Sequence, residues 1–274
     1  QILPFLDPDV AEYALQELAS HSVSIKLGER VARFTPRSPM GQFVHLASGE
    51  MIDADLVILA VGVRPLSDIA ADAGLALGES GGITVSASLR TSDPDIYAVG
   101  DVTEVIHTIT GQSTSIPLAV PAHQQARIAA ANIAGLEHGW SDHYRGTQAS
   151  SIVKLFNLSC GSTGATSYQL RRRNVSFDAV FIHPLNHAGY YPGAVPLHLK
   201  ILYGKNGRVL GAQAVGQGGV DKRLDVLATA IYFGASVADL DNLQLAYSPP
   251  FGMPRDPVNI AGSLAEAKLK GNGG

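Results

Sequence analysis

Thr91-Ser92-Asp93-Pro94-Asp95-Ile96-Tyr97-Ala98-Val99-Gly100-Asp101 is the stretch that decides the fold class of this 274-residue chain. A polar turn feeds a short apolar run, Ile96 to Val99, which reads as a strand and delivers glycine and then aspartate at its carboxyl end. In open α/β sheets, ligands bind beyond the carboxyl ends of the strands. Glycine at that edge lets a backbone come close, and a carboxylate accepts hydrogen bonds from hydroxyl groups. Taken alone, the pair describes equally well a turn with an Asx cap, so the flanking sequence has to decide.

Downstream, an alanine-rich helix is expected over about Val120 to Ile133, beginning at or near Pro121, with small residues at Ala122, Ala126, Ala129 and Ala130 that permit close packing. Upstream, Ile83-Thr84-Val85 reads as a strand. Leu56-Val57-Ile58-Leu59-Ala60-Val61 is continuously apolar, the pattern of a strand buried on both faces of a parallel sheet, and it ends in Gly62-Val63-Arg64-Pro65. Asp7 and Pro8 open a helix with aspartate at the N-cap and proline at the first helical position. Val23 to Leu27 alternates like a half-buried strand, and Phe43 to Leu46 forms another. From Gly146 onward the pattern changes. Strands are expected over Ile152–Leu158, Phe177–Ile182, Leu197–Tyr203 and Val209–Val215, with helices over Asp221–Tyr232 and Val237–Asn242. A mixed sheet carrying helices on one face is the natural packing.

Composition narrows the function classes. Apolar residues make up 46% and charged residues 16%, as in a compact α/β protein. Twenty basic against 24 acidic residues, with no strongly basic block, give no nucleic-acid footprint. The Arg171-Arg172-Arg173 run reads as a solvated helix face. The longest apolar stretch, Leu56 to Val63, is far below the ~18 residues of a membrane span. One cysteine, Cys160, permits no internal disulfide, fits a reducing cytoplasm, and reads as a small structural residue.

With its context, the 91–101 run resembles the second flavin-binding motif of the FAD-dependent pyridine nucleotide–disulfide oxidoreductases. The resemblance extends over essentially the whole chain. It implies a partial two-dinucleotide-binding-domain (Rossmann-like) α/β flavoprotein joined to an α+β dimerisation domain. Residues 1–82 would be the carboxy-terminal half of an NAD(P)-binding domain, 83–145 the carboxy-terminal part of an FAD-binding domain, 146–264 the interface domain and 265–274 a tail. FAD and NAD(P)H are the implied cofactors. Asp101, beside Gly100, would bind the ribityl chain, and the backbone of Leu118, Ala119 and Val120 would face the flavin pyrimidine at a helix amino terminus. Gly62 would approach the nicotinamide side, and Arg64 would contact a phosphate or brace the domain boundary; a plain structural turn is the alternative.

Two tyrosine-proline segments are the most specific part: His187-Ala188-Gly189-Tyr190-Tyr191-Pro192-Gly193-Ala194 and Ala246-Tyr247-Ser248-Pro249-Pro250-Phe251-Gly252. They resemble the interface domain of coenzyme A–disulfide reductases, including relatives with an extra rhodanese domain. The resemblance implies that Tyr190 or Tyr191, together with Tyr247, stands near a flavin-facing cysteine and acts across a two-fold homodimer. A phenol so placed can donate to a thiolate leaving group; aromatic packing at an interface is the alternative. Lys222 and Arg223 could meet coenzyme A phosphates, although a salt bridge at a helix start is favoured, and His187 reads as structural.

Two departures sharpen the expectation. The Tyr247-Ser248-Pro249-Pro250 stretch has no histidine where glutathione-reductase-type enzymes carry a catalytic His-Pro pair, so the single-cysteine branch fits better, passing electrons to a cysteine mixed disulfide. No Gly-x-Gly-x-x-Gly follows any strand, and Gly216-Gln217-Gly218-Gly219 does not fit the spacing. Both glycine-rich fingerprints and the redox cysteine are expected upstream of Gln1, and the chain alone is expected neither to hold FAD tightly nor to turn over. An NADH oxidase or peroxidase of the same clan and a non-catalytic dimerisation module are the alternatives. The expected partners are a second copy of the chain and a small thiol or disulfide such as coenzyme A, with no nucleic acid and no membrane.

Overall fold

The computed structural model describes residues 1–135 and 143–271. Helix α1 (Pro8–Ser20) starts on proline and buries Val10, Ala11 and Ala14. Asp7 holds the N-cap position but does not cap its own helix. Its carboxylate reaches across the molecule, accepting from the Ser167 amide at 2.9 Å and pairing with Lys200 Nζ at 2.9 Å. Strands β1 (Val31–Pro36), β2 (Gln42–Leu46) and β3 (Met51–Ala54) follow as an antiparallel meander.

Two expected strands are absent from this first part. Val23 to Leu27 is irregular and exposed. The 56–61 run pairs with no strand among the described residues, and Val61 is 90% exposed, where burial on both faces was expected. The apolar pattern is that of a central strand, but no neighbouring strand among the described residues covers it.

Helix α2 (Asp68–Asp72) leads to β4 (Ile83–Thr84), which pairs in parallel with β5 (Thr103–Ile106); β5 pairs antiparallel with β6 (Ser113–Thr114). The strand expected at 96–99 is reduced to a bridge between Arg90 and Tyr97. Its side chains are nonetheless placed as a strand would place them. Tyr97 and Val99 pack against Leu89, Val105 and Ile128, and Ala98 is buried beside Ile83. A 3₁₀ turn, Gly100–Val102, ends the segment, and α3 (Ala119–Ile133) covers it.

The remainder is a five-stranded, wholly antiparallel sheet of β7 (Ser151–Leu155), β8 (Leu158–Gly164), β9 (Phe177–Ile182), β10 (Leu197–Gly204) and β11 (Val209–Gly216), in the order β7-β8-β11-β10-β9. Helix α4 (Ser167–Arg172) follows β8; α5 (Val220–Tyr232), α6 (Val237–Asn242) and α7 (Pro257–Gly271) follow β11. The expectation of a mixed sheet covered on one face is corrected on both counts. Strand alternation explains the second: Leu197, Leu199, Ile201, Ala212 and Ala214 face α5, α6 and α7, while Cys160 and Val215 face α1 and Leu202 faces α4. Helix α7 was not expected, and it occupies 265–271, part of the supposed tail, with Ala265 fully buried. Residues 272–274 of that tail lie outside the described residues.

Candidate functional site

The Gly100-Asp101 turn is held from below. Gly100 has φ +81, in the left-handed region, and its amide donates to Gln125 Oε1 at 2.7 Å. The Thr103 hydroxyl donates to the Gly100 carbonyl at 2.8 Å and approaches the same Gln125 oxygen at 3.2 Å. Gln125 is 2% exposed. Sequence reasoning missed it, although it lies on the stripe Pro121, Gln125, Ile128 and Ala129 that α3 buries, and a polar side chain on an apolar stripe is the signal.

The turn leaves Asp101 exposed on the wall of a cleft of about 450 Å³, whose other walls include Arg64, Pro65, Ser80, Ser115 and Pro117. No hydrogen bond of the Asp101 carboxylate occurs among the described residues; only its backbone carbonyl is engaged, by the Ser115 hydroxyl at 3.3 Å. Ser80 is fixed by Glu104, which is 4% exposed and accepts from both the Ser80 amide, at 2.9 Å, and the Ser80 hydroxyl. Burial alone would raise the Glu104 carboxyl, but hydrogen bonds from Ser80 and Ser113 outweigh it and hold it below the usual carboxylate range.

Leu118 precedes α3 in an extended conformation, and no side chain caps the helix. The start of α3 meets the turn, since a Cβ on Gly100 would stand 3.9 Å from Ala122 Cβ. Val120 lines not the Asp101 cleft but a neighbouring cavity of about 440 Å³, shared with Pro121, Arg145, Asp221 and Leu224. Gly62 has φ +90 and stands clear of its neighbours outside the cleft lining.

The second constellation is the tyrosine pair. The hydroxyls of Tyr190 and Tyr247 lie 3.3 Å apart and both side chains face solvent. Tyr191 turns aside and sets its ring edge-on against buried His187, 5.9 Å between centroids. Of the two candidates at 190 and 191, Tyr190 is thus the one that joins Tyr247. The hydrogen bond with Tyr190 is the main cause that raises the Tyr247 phenol above its ordinary range. Neither tyrosine lines the Asp101 cleft. Arg223 is 2% exposed and makes a forked ion pair with Asp256, and Lys222 donates to carbonyls of the Tyr247 loop, so both serve the protein's own structure. Cys160 is fully buried, and burial, helped by Glu17, pushes its thiol up to about 11.

A Gly-Asp turn that rests on a helix start beside a cleft, followed by a separate antiparallel sheet, is the arrangement expected of nucleotide-dependent oxidoreductases with a dimerisation domain. Within that class the chain belongs to the pyridine nucleotide-disulphide oxidoreductases. Residues 1–126 match that family and residues 150–256 match its dimerisation domain. The family is FAD-dependent and uses NAD(P)H. The chain is 34% identical over 270 residues to an NADH oxidase of Methanocaldococcus jannaschii, covering 98% of this chain and 59% of that protein. It is 33% identical over 262 residues to a coenzyme A disulfide reductase of Staphylococcus epidermidis, covering 95% of this chain and 58% of that protein. The chain therefore spans under two thirds of the length of these relatives. The solved structure of reduced CoADR-RHD from Bacillus anthracis superposes with a TM-score of 0.94 at 40% identity, over 99% of this chain and 48% of that one. No helix of the described residues is long and apolar enough to cross a membrane.

Proposed function

We propose that this chain forms the flavin-side and dimerisation parts of an NAD(P)H-dependent reductase of a cysteine-linked disulfide, with coenzyme A disulfide or a related persulfide as substrate. The observation that carries the reading is the solvent-facing phenol pair, Tyr190 and Tyr247, hydrogen-bonded at 3.3 Å in a loop region without the histidine of dithiol enzymes. FAD, when bound, would relay the electrons of the NAD(P)H hydride to the S–S bond of a cysteine-linked disulfide. The residues present fit that group: an unpaired carboxylate on a cleft wall suits ribityl hydroxyls, and Gly100 leaves room for close approach. Arg64, on the same cleft, offers a charge-assisted contact to a phosphate. The uncapped amino terminus of α3, at Leu118 to Val120, favours negative charge beside it. Gly62 keeps the chain free of a side chain on the nicotinamide side.

In this reading one phenol of the pair donates its proton to the departing thiolate while the other, hydrogen-bonded to it, keeps the donor oriented. The pair acts across the two-fold axis of a homodimer built from the interface domain. Residues 1–82, 83–145 and 146–271 divide the work between NAD(P), flavin and dimerisation. Because the chain holds no glycine-rich pyrophosphate fingerprint, the 274 residues purified alone are expected to show no stoichiometric flavin absorbance.

The test uses these residues within a longer chain that supplies the glycine-rich fingerprints and the redox cysteine, flavin-loaded, with coenzyme A disulfide. Y190F and Y247F are each expected to lower thiol release by about 10²-fold, while NAD(P)H still reduces the flavin. Wild-type turnover in both variants would overturn the proposal. A second reading, an NADH oxidase, is favoured by the Methanocaldococcus jannaschii relative, whose identity equals that of the reductase within one percentage point. Oxygen consumption without thiol release, unaffected by either substitution, would select it.

A further inference from the structure

We infer that Arg223, clamped to Asp256 and seconded by Lys222, is the positioning group that sets the Tyr190–Tyr247 pair. This rests on the proposed role of that pair. A buried arginine–aspartate pair gives little net stability over apolar residues of the same size, so its value lies in the geometry it imposes. Here the imposed geometry is explicit. Arg223 sits in the first turn of α5 and uses four of its five N–H donors: Nε and Nη2 grip the two Asp256 oxygens at 3.2 and 2.8 Å, Nη2 also donates to the Asn186 carbonyl at 2.9 Å, and Nη1 reaches the Gly219 carbonyl at 3.4 Å.

Each partner is the root of a tyrosine loop. Asn186 closes the neck of the Tyr190 loop through a backbone and a side-chain hydrogen bond with Val195, at 2.9 and 3.0 Å. Asp256 immediately precedes α7, where its Oδ1 accepts the Val258 amide at 3.1 Å, and it ends the Tyr247 loop. Lys222 Nζ donates to the carbonyls of Ala246 and Phe251, on either side of Tyr247, at 3.4 and 3.3 Å. The two loops are then laced together by the Ala188 amide and the Gly252 carbonyl at 2.9 Å. Gly219 makes room for the fork: a Cβ there would stand 2.3 Å from Arg223 Nη1. One guanidinium thus fixes the registry of two loops whose exposed tips must meet to within a hydrogen bond. An ångström of drift at either root breaks a 3.3 Å contact.

The experiment labels the protein with 3-fluorotyrosine and follows Tyr190 and Tyr247 by fluorine NMR across a pH titration, each assigned by its phenylalanine variant. In the wild type, Y190F is expected to move the Tyr247 titration downward. In R223K, which keeps the charge but loses the fork, and in K222M, which leaves buried Asp256 paired with Arg223, that dependence on Tyr190 is expected to vanish while circular dichroism stays native. Thiol release by the flavin-loaded variants is expected to fall about 10- to 100-fold with flavin reduction by NAD(P)H unchanged. Retention of the Tyr190 dependence in both folded variants overturns the inference whatever the enzyme reduces. Loss of that dependence supports the positioning role even where the wild-type protein releases no thiol, a result that would count only against the proposed reaction. K222M protects the test should R223K fail to fold.

Discussion

Glu104 shows how a single residue can shape a cleft without facing it. Its carboxylate is buried, ionised and bonded to Ser80, which lines the cleft, and a Cβ at Gly78 would stand within 2.2–2.3 Å of it, so carboxylate and glycine pack together behind that wall. Because its folded pKa is lowered, the stabilisation is present above the ordinary carboxylate range and is lost as pH falls through the lowered value. E104Q, which turns an amide toward the Ser80 amide, is expected to cost about 1.5–3 kcal/mol at neutral pH. Denaturant melts at stepped pH should show that gap closing in acid. A gap independent of pH would mean that the ionised form is not what holds Ser80. At this scale the sequence was legible where chemistry is local. Gly100-Asp101 and Tyr247 could be picked out from their neighbours. The choice between Tyr190 and Tyr191 could not, because adjacent residues on a loop point wherever its roots direct them. Gln125, Glu104 and the Arg223–Asp256 fork act over separations of 24 to 33 residues that no local pattern records.

Among the elements, α1 forms where its sequence places it, but its N-cap residue departs from the expected role. Its periodicity announced a helix, and Asp7-Pro8 announced the start, but the cap residue does long-range work. Asp7 is 1% exposed, its amide donates to Gln213 Oε1 at 2.6 Å, and its carboxylate meets Lys200 on β10. Tyr13 continues the docking by stacking on His198, 3.8 Å between centroids. K200M strands the buried Asp7 charge and is expected to cost about 3–5 kcal/mol in urea melts. D9N, at the half-exposed second partner of Lys200, should cost no more than about 1 kcal/mol. Equal penalties for the two would show that α1 is not docked through Asp7. Elements with strong periodicity, α1, α3, α5 and α6, were readable. Strand β8 was hidden because its turn from β7 uses Phe156 at φ +49 in place of glycine. Helix α7 was missed although Asp256-Pro257 repeats the Asp-Pro start of α1; Gly262 interrupts its pattern, and the helix needs that glycine where a Cβ would come within 2.7 Å of the Asp241 amide.

At the scale of the whole molecule, packing joins segments that are far apart in the chain. The interface sheet is covered on one face by helices that follow it in the chain, but much of its other face is covered by α1, from the first 20 residues. Leu158, Cys160 and Val215 are buried against Leu6, Val10, Ala11 and Ala14, so the sheet borrows part of its core from the nucleotide-fold lobe. A fragment comprising residues 146–271 keeps all five strands and α4 to α7, yet loses that cover and leaves Lys200 without either aspartate. Such a fragment is expected to unfold at lower denaturant concentration than the 274-residue chain and to bind a dye for exposed apolar surface. Cys160 is the built-in reporter. Its thiol, buried and raised to about 11 in the intact chain, should resist maleimide at pH 7.5 there and react readily in the fragment. Adding a synthetic peptide of residues 1–21 should restore protection by laying Tyr13 back on His198 and Asp7 back on Lys200. A fragment that protects Cys160 without the peptide would show that the sheet closes its own core, and that α1 is a passenger on it.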